Sequence, residues 1–186
     1  MPAKKLPTRH IPHHAAITRI SEWKQRMMEV LVEDQEIGKL LYYNSEDALS
    51  RPDLTEDERY SLVDRESEKR RIYPTRYTPK VMMDQQSFVG LSVSGFVPQE
   101  AFAPYRTVAD KYVMGYLYFW ILVDNQIMDC DEGQRQDLLL EKIYDKFQDA
   151  DNYGMGRLSV DDLQEVWEQN NKFGGYVLVM KVIDMA

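Results

Sequence analysis

The stretch KYVMGYLYFWILVDN, residues 111 to 125, constrains the fold more than any other part of the chain. Read with a period of two, both of its alternate sets are apolar. Val113, Leu117, Phe119, Ile121 and Val123 fall on one face, and Tyr116, Tyr118, Trp120 and Leu122 on the other. Such a segment is a strand that must be covered on both sides, so it belongs in the middle of a sheet. The expectation is a central strand over 112 to 124. The protein's own helices cover one face, and part of the aromatic face of Tyr116, Tyr118 and Trp120 lies at a contact between subunits. Tyr and Trp are the side chains that contribute most at such contacts. The alternative cover for that face is the charged segment 44 to 71, folded back within one subunit.

The remaining segments supply the helices and neighbouring strands. Ile17, Ile20, Trp23, Met27, Val30 and Leu31 recur at spacings of three and four, which predicts an amphipathic helix with Ser21 as its N-cap. A short helix follows Asp34 through Ile37, Leu40 and Leu41, weakened by Gly38. Residues 44 to 71 alternate charges of both signs, as solvated loops and helix faces do. RIYPTRYTP is extended but interrupted by Pro74 and Pro79, which confines it to an edge. SFVGLSVSGFVP alternates Leu91, Val93, Gly95 and Val97 against Ser92, Ser94 and Phe96, a strand with one buried face. Asp131 and Gln134 resemble a capping box opening a helix over 132 to 148, with Leu139, Ile143 and Phe147 on its apolar face. The chain then offers an antiparallel hairpin, RLSVDDLQEVWE followed by GGYVLVMKVID. This order predicts an α+β fold, with helices packed against a mixed or antiparallel β-sheet. One domain over residues 16–186 is expected to carry the charged insertion 44–71, preceded by a basic extended arm over 1–15.

Lys4, Lys5 and Arg9 give that arm a charge opposite to the rest of an acidic chain, whose net charge is −8. Pro2, Pro7 and Pro12 keep it extended, able to reach along a partner. His10, His13 and His14 lie within the same arm without the spacing of a metal site. The acidic balance argues against a broad nucleic-acid surface. The lone Cys130 has no partner for a disulfide and none at zinc-ligand spacing. MPAKKLPTRHIPHH lacks the apolar core of a signal peptide, and GYLYFWILV is too short to span a bilayer, so no membrane role is expected.

Signatures of chemistry are sparse. FQDADNYGMGRLSVDDLQEV, residues 147 to 166, resembles a calcium loop. A loop opening at Asp149 puts Tyr153 in a ligand position and Val160 where the bidentate carboxylate belongs. A loop opening at Asp151 fits Gly156, Leu158 and Asp162 but loses ligand positions to Tyr153 and Met155. Helix, turn and strand is the better reading, with Gly154 and Gly156 at the turn. Asp124, Asp129, Asp131 and Glu132 could hold metals in a nuclease, but Asp131 as a helix cap and Glu132 beside the positive helix end explain them more simply. Cys130 between two aspartates has a disfavoured thiolate. No phosphate-binding, dinucleotide, zinc-protease or hydrolase motif occurs, and the expectation is a protein that is not an enzyme and needs no cofactor.

From YPTRYTP through SFVGLSVSG, YLYFWILVDNQ, the GQR turn, QDLLLEKIYDKF, GMGRLSVDDL and GGYVLVMKVID, the order of segments resembles the small neck proteins of tailed bacteriophages. These are the tail terminators and head-to-tail joining proteins. The resemblance covers about residues 72 to 184, and the charged insertion and basic arm depart from it. It implies a structural virion protein, assembled in the host cytoplasm into a homo-oligomeric ring of six copies. The ring would join the connector and portal side to the tail-tube proteins around a channel for passing DNA. A tail terminator is the first expectation, a head-completion or connector protein the second, and a calcium- or metal-binding regulator the third.

Overall fold

The computed structural model describes residues 12–76, 85–98, 112–151, 153 and 156–185. The chain begins with α1 (Pro12–Glu33) and α2 (Gln35–Tyr42), continues through a 3-10 turn (Ala48–Ser50) and α3 (Glu56–Ser61), and enters β1 (Ile72–Tyr73) and β2 (Ser87–Pro98). Then come β3 (Tyr112–Asp124), the two-residue strands β4 (Asp129–Cys130) and β5 (Gly133–Gln134), α4 (Arg135–Phe147), β6 (Arg157–Glu168) and β7 (Phe173–Met185). The sheet has five strands in the order β1-β2-β3-β7-β6, parallel between β1 and β2 and antiparallel elsewhere. Helices on a mixed sheet make the fold α+β, and the doubly apolar strand β3 sits at the sheet's centre.

One alternate set of β3, Leu117, Phe119, Ile121 and Val123, is fully buried under the helices. Phe119 meets the Phe147 ring of α4 at 4.8 Å, and Trp23, Met27 and Leu31 of α1 close the same core. Each such side chain contributes about 1.5–3 kcal/mol relative to exposure. Asp34 caps α2 by accepting from the N–H groups of Glu36 and Ile37 at 3.0 and 3.1 Å. Gly38, expected to weaken α2, has a packing reason. A Cβ there would stand 3.2 Å from the Leu54 side chain, which closes over the helix.

Two helix boundaries differ from the sequence reading. α1 starts at Pro12 rather than with Ser21 as its cap, because proline at the first helical position gives up no hydrogen bond and its fixed φ already suits a helix. His13 and His14, expected in the arm, therefore belong to the helix, and residues 1–11 lie outside the described residues. α4 begins at Arg135 with Gln134 as N-cap, since the residues before it are used by the β4–β5 hairpin. Asp131 lies in that hairpin's turn and caps no helix.

The charged segment 44–71 packs mainly on the helix side and meets the far-face cluster where Arg70 stacks 4.9 Å over the Tyr73 ring. Its Leu62 is fully buried with the helix-side core, and Arg59 donates to the Glu33 carbonyl at 2.9 Å. Within it Thr55 and Glu58 form a reciprocal capping box at the start of α3. The far face is instead crossed by the residues just after it. A Cβ on Gly90 of β2 would lie 2.0 Å from the Arg76 carbonyl oxygen and 2.6 Å from that of Thr75, so the 75–76 backbone rests directly on the strand.

Candidate functional site

The far face joins three of the residues expected at a subunit contact. Tyr116, Tyr118 and Trp120 project there from β3, each partly buried. The Trp120 indole N–H donates to Ser92 Oγ at 2.9 Å, and the hydroxyls of Tyr118 and Ser94 are hydrogen-bonded at 2.9 Å. The Arg76 guanidinium stacks 3.9 Å from the Trp120 ring centroid and continues to an ion pair with Glu168 on β6. At one end Tyr73, Phe88, Leu122 and Phe173 form a small second core. The chain thus covers part of this face itself, through a strap that sequence reasoning missed. Lys4, Lys5 and Arg9, the arm residues expected at the same assembly contacts, lie outside the described residues.

The sheet edge is more exposed. Among the described residues β6 pairs with β7 alone, and its Leu163 and Trp167 are 47% and 49% exposed although they belong to a strand. Both extend from the face on which α1 and α4 pack, but those helices lie chiefly over β2, β3 and β7. Four carboxylates, Asp161, Asp162, Glu165 and Glu168, line the strand against the single Arg157. A bulge between Val160 and Asp162 bends it. The Val160 N–H donates to Gln148 Oε1 and the Leu163 N–H to Asp162 Oδ1, each at 2.8 Å. Charge, a bulge and side-chain caps are the usual means of keeping an edge strand from indiscriminate pairing.

The candidate metal residues are placed as follows. Asp149 takes φ +62° at the end of α4, the left-handed role expected of a glycine. Its carboxylate accepts from Arg157 Nη2 at 2.7 Å and Nε at 3.1 Å, and that bonding holds its pKa below the usual carboxylate range. Asp162 stands on β6 and spends its oxygens on the Leu163 N–H and Gln164. The helix, turn and strand reading of this stretch agrees with that geometry. Asp124 is buried and accepts from the Gln126 N–H at 3.0 Å, while Asp129 accepts from Gln134 Nε2 at 2.6 Å. Asp129 and Asp131 line an open polar cleft of about 490 Å³ with Glu46 and Asp47. Among the described residues no three His, Cys, Asp or Glu side chains are gathered as metal ligands would be. Burial, the largest influence on Cys130, pushes its thiol pKa up, against the pull of Arg135.

Arg135, the first residue of α4, is the main structural group that the sequence did not disclose. It is fully buried and donates to four backbone carbonyls: Ile127 at 2.8 Å, Leu40 at 2.9 Å, Tyr43 at 2.7 Å and Ser45 at 2.8 Å. Its guanidinium thereby satisfies the C-terminal end of α2 and fixes the rim of the polar cleft.

No curated protein and no solved structure matches the chain. The family model described as YomW matches residues 34–182, from the N-cap of α2 into the last strand, β7. That span includes the central strand and the edge strand β6, and so the chain belongs to the YomW family, a Bacillus phage-type family whose name suggests a phage origin.

Proposed function

We propose that this protein is a structural component of the phage neck, a tail terminator whose copies assemble into a ring between the head connector and the tail tube. The observation that carries the reading is the twelve-residue edge strand β6, which leaves Leu163 and Trp167 about half exposed. Exposed apolar groups on a long edge strand are an aggregation liability in a monomer and a contact surface in an assembly. A head-to-tail repeat of one contact closes into a ring when its rotation allows. An acidic protein around a channel repels passing DNA rather than retaining it, which suits a conduit. Membership of a phage-type family supports the setting.

The test is the mass of the purified full chain in solution, together with images of single particles. Closed rings of uniform copy number that bind tail-tube protein are expected. A chain that stays monomeric at all accessible concentrations, with and without tail-tube protein, overturns the proposal.

A further inference from the structure

We propose that the outer edge of β6 is the receptor for the basic N-terminal arm of a second copy of this chain, so that each subunit gives an arm to one neighbour and receives one from another. The inference deepens the assembly reading above and rests on it in needing a second copy.

Charge selects the occupant. The edge presents exposed Asp161, Asp162 and Glu165 around exposed Leu163 and Trp167. A second β6 laid antiparallel on this one would bring carboxylates opposite carboxylates, which is destabilising. The edge therefore rejects its own kind and calls for an extended segment that is basic with some apolar character. Lys4, Lys5, Leu6 and Arg9 provide that combination in the eleven residues that precede α1.

Length agrees. Residues 1–11 alone can span about 36–40 Å when extended. The twelve residues of β6 span about 40 Å. The donor proposed is a second copy: α1, which the arm precedes in the chain, packs over β2 and β3, whereas β6 is the last strand at the other side of the sheet. One-way donation of this kind is a heterologous contact, the sort that generates rings or filaments.

The experiment uses charge exchange in the full chain. Sedimentation equilibrium is run on the wild type, on Lys4→Glu with Lys5→Glu, on Asp161→Lys with Glu165→Lys, and on all four changes together. Each reversed pair alone is expected to weaken self-association at least tenfold, and the four together to restore it to within about threefold of wild type. Because Asp161 and Glu165 are exposed, circular dichroism should show the native fold in every variant. Raising salt from about 0.05 M to 0.5 M weakens the wild-type association, because exposed charges are screened beyond a Debye length of about 10 Å at 0.1 M. A second arm of the test places Thr8→Cys and Leu163→Cys in a Cys130→Ser background and oxidises the assembled protein. Disulfides between chains support the proposal, and disulfides within one chain overturn it. Rings that persist unchanged through both charge reversals overturn the arm contact while leaving the ring intact. A wild type that never associates overturns both readings.

Discussion

Replacing Arg135 by Ala removes a buried cation that, among the described residues, has no carboxylate partner and is solvated by four carbonyls. Hydrogen bonds to a charged group contribute about 1.5–3 kcal/mol each in isolation. Two opposing effects reduce the sum. Removing the ion also removes its desolvation cost, several kcal/mol in real proteins. In addition, the Leu40 carbonyl keeps the Ser87 hydroxyl at 3.2 Å. The carbonyls of Ile127, Tyr43 and Ser45 lose this donor, and α2 loses the positive charge at its C-terminal end. A net cost of about 4 kcal/mol follows, in line with other buried charged networks broken on one side. That is a large share of the roughly 5–15 kcal/mol available to a domain.

Urea denaturation followed by far-UV circular dichroism measures it. With an m-value of about 2 kcal/mol/M, the midpoint should fall by about 2 M at unchanged slope. Arg135→Lys should recover only about half, because one ammonium cannot reach carbonyls arranged around a planar fork. If Arg135→Ala is too unstable to purify, the lysine variant still carries the comparison. A midpoint shift below about 0.5 M for Arg135→Ala would refute the reasoning and show that water replaces the guanidinium at little cost.

Asp34→Ala should cost about 1–2 kcal/mol through loss of the α2 cap, measured by the same denaturation. Burial raises the Asp34 pKa, but bonds from Lys146 and from the Ile37 and Glu36 N–H groups outweigh it and hold the carboxyl low; its stabilisation is thus present above the unfolded pKa and lost as pH falls through the folded one, so Asp34→Asn should flatten the acid limb of the stability profile. Tyr176 has its pKa pushed up to about 12, mainly by its hydrogen bond to Asp137 and then by burial. A raised folded pKa means a contribution fully present below the unfolded value of about 10 and lost between about pH 10 and 12, and Tyr176→Phe should remove that part of the alkaline loss. Gly90→Ala should displace the 75–76 backbone, cost about 1–3 kcal/mol and alter Trp120 fluorescence as Arg76 leaves the ring; an unchanged spectrum and stability would show that the strap does not rest on β2.

How much of this was legible in the sequence depended on whether the signal was local. The centrality of β3 follows from its own residues, because a strand apolar on both alternate sets has few other places to go. The final hairpin and the apolar stripe of α1 were likewise readable as periods of two and of three to four. What failed depended on partners far along the chain or on elements too short to show a period. Arg135 sits in the first turn of a helix, where a charged residue is ordinarily solvated, and its burial is decided by carbonyls 90 to 95 residues away. Asp131 fitted a capping box until the β4–β5 hairpin, too short to show any period, moved the helix start to Arg135. For the site, Tyr116, Tyr118 and Trp120 were correctly grouped on one face. The cover provided by Arg76 could not be read, because it needs Glu168, 92 residues later.

In the proposed assembly, the placement of the charged groups favours the edge over the far face as the contact. On the far face, Arg76 neutralises Glu168 and occupies the Trp120 ring, and Ser92 and Ser94 satisfy the polar tips of Trp120 and Tyr118. A partner arriving there would have to displace interactions already made within the subunit. Along β6, Asp161 and Glu165 face solvent beside Leu163 and Trp167, and burying those two apolar side chains would contribute without breaking the sheet. Carboxylates on both strands would disfavour pairing of the edge with a copy of itself, so in the proposed assembly the apolar gain would go to a partner that brings positive charge. Specificity and the drive to associate would then come from the same strand, one through its carboxylates and the other through its exposed Leu and Trp.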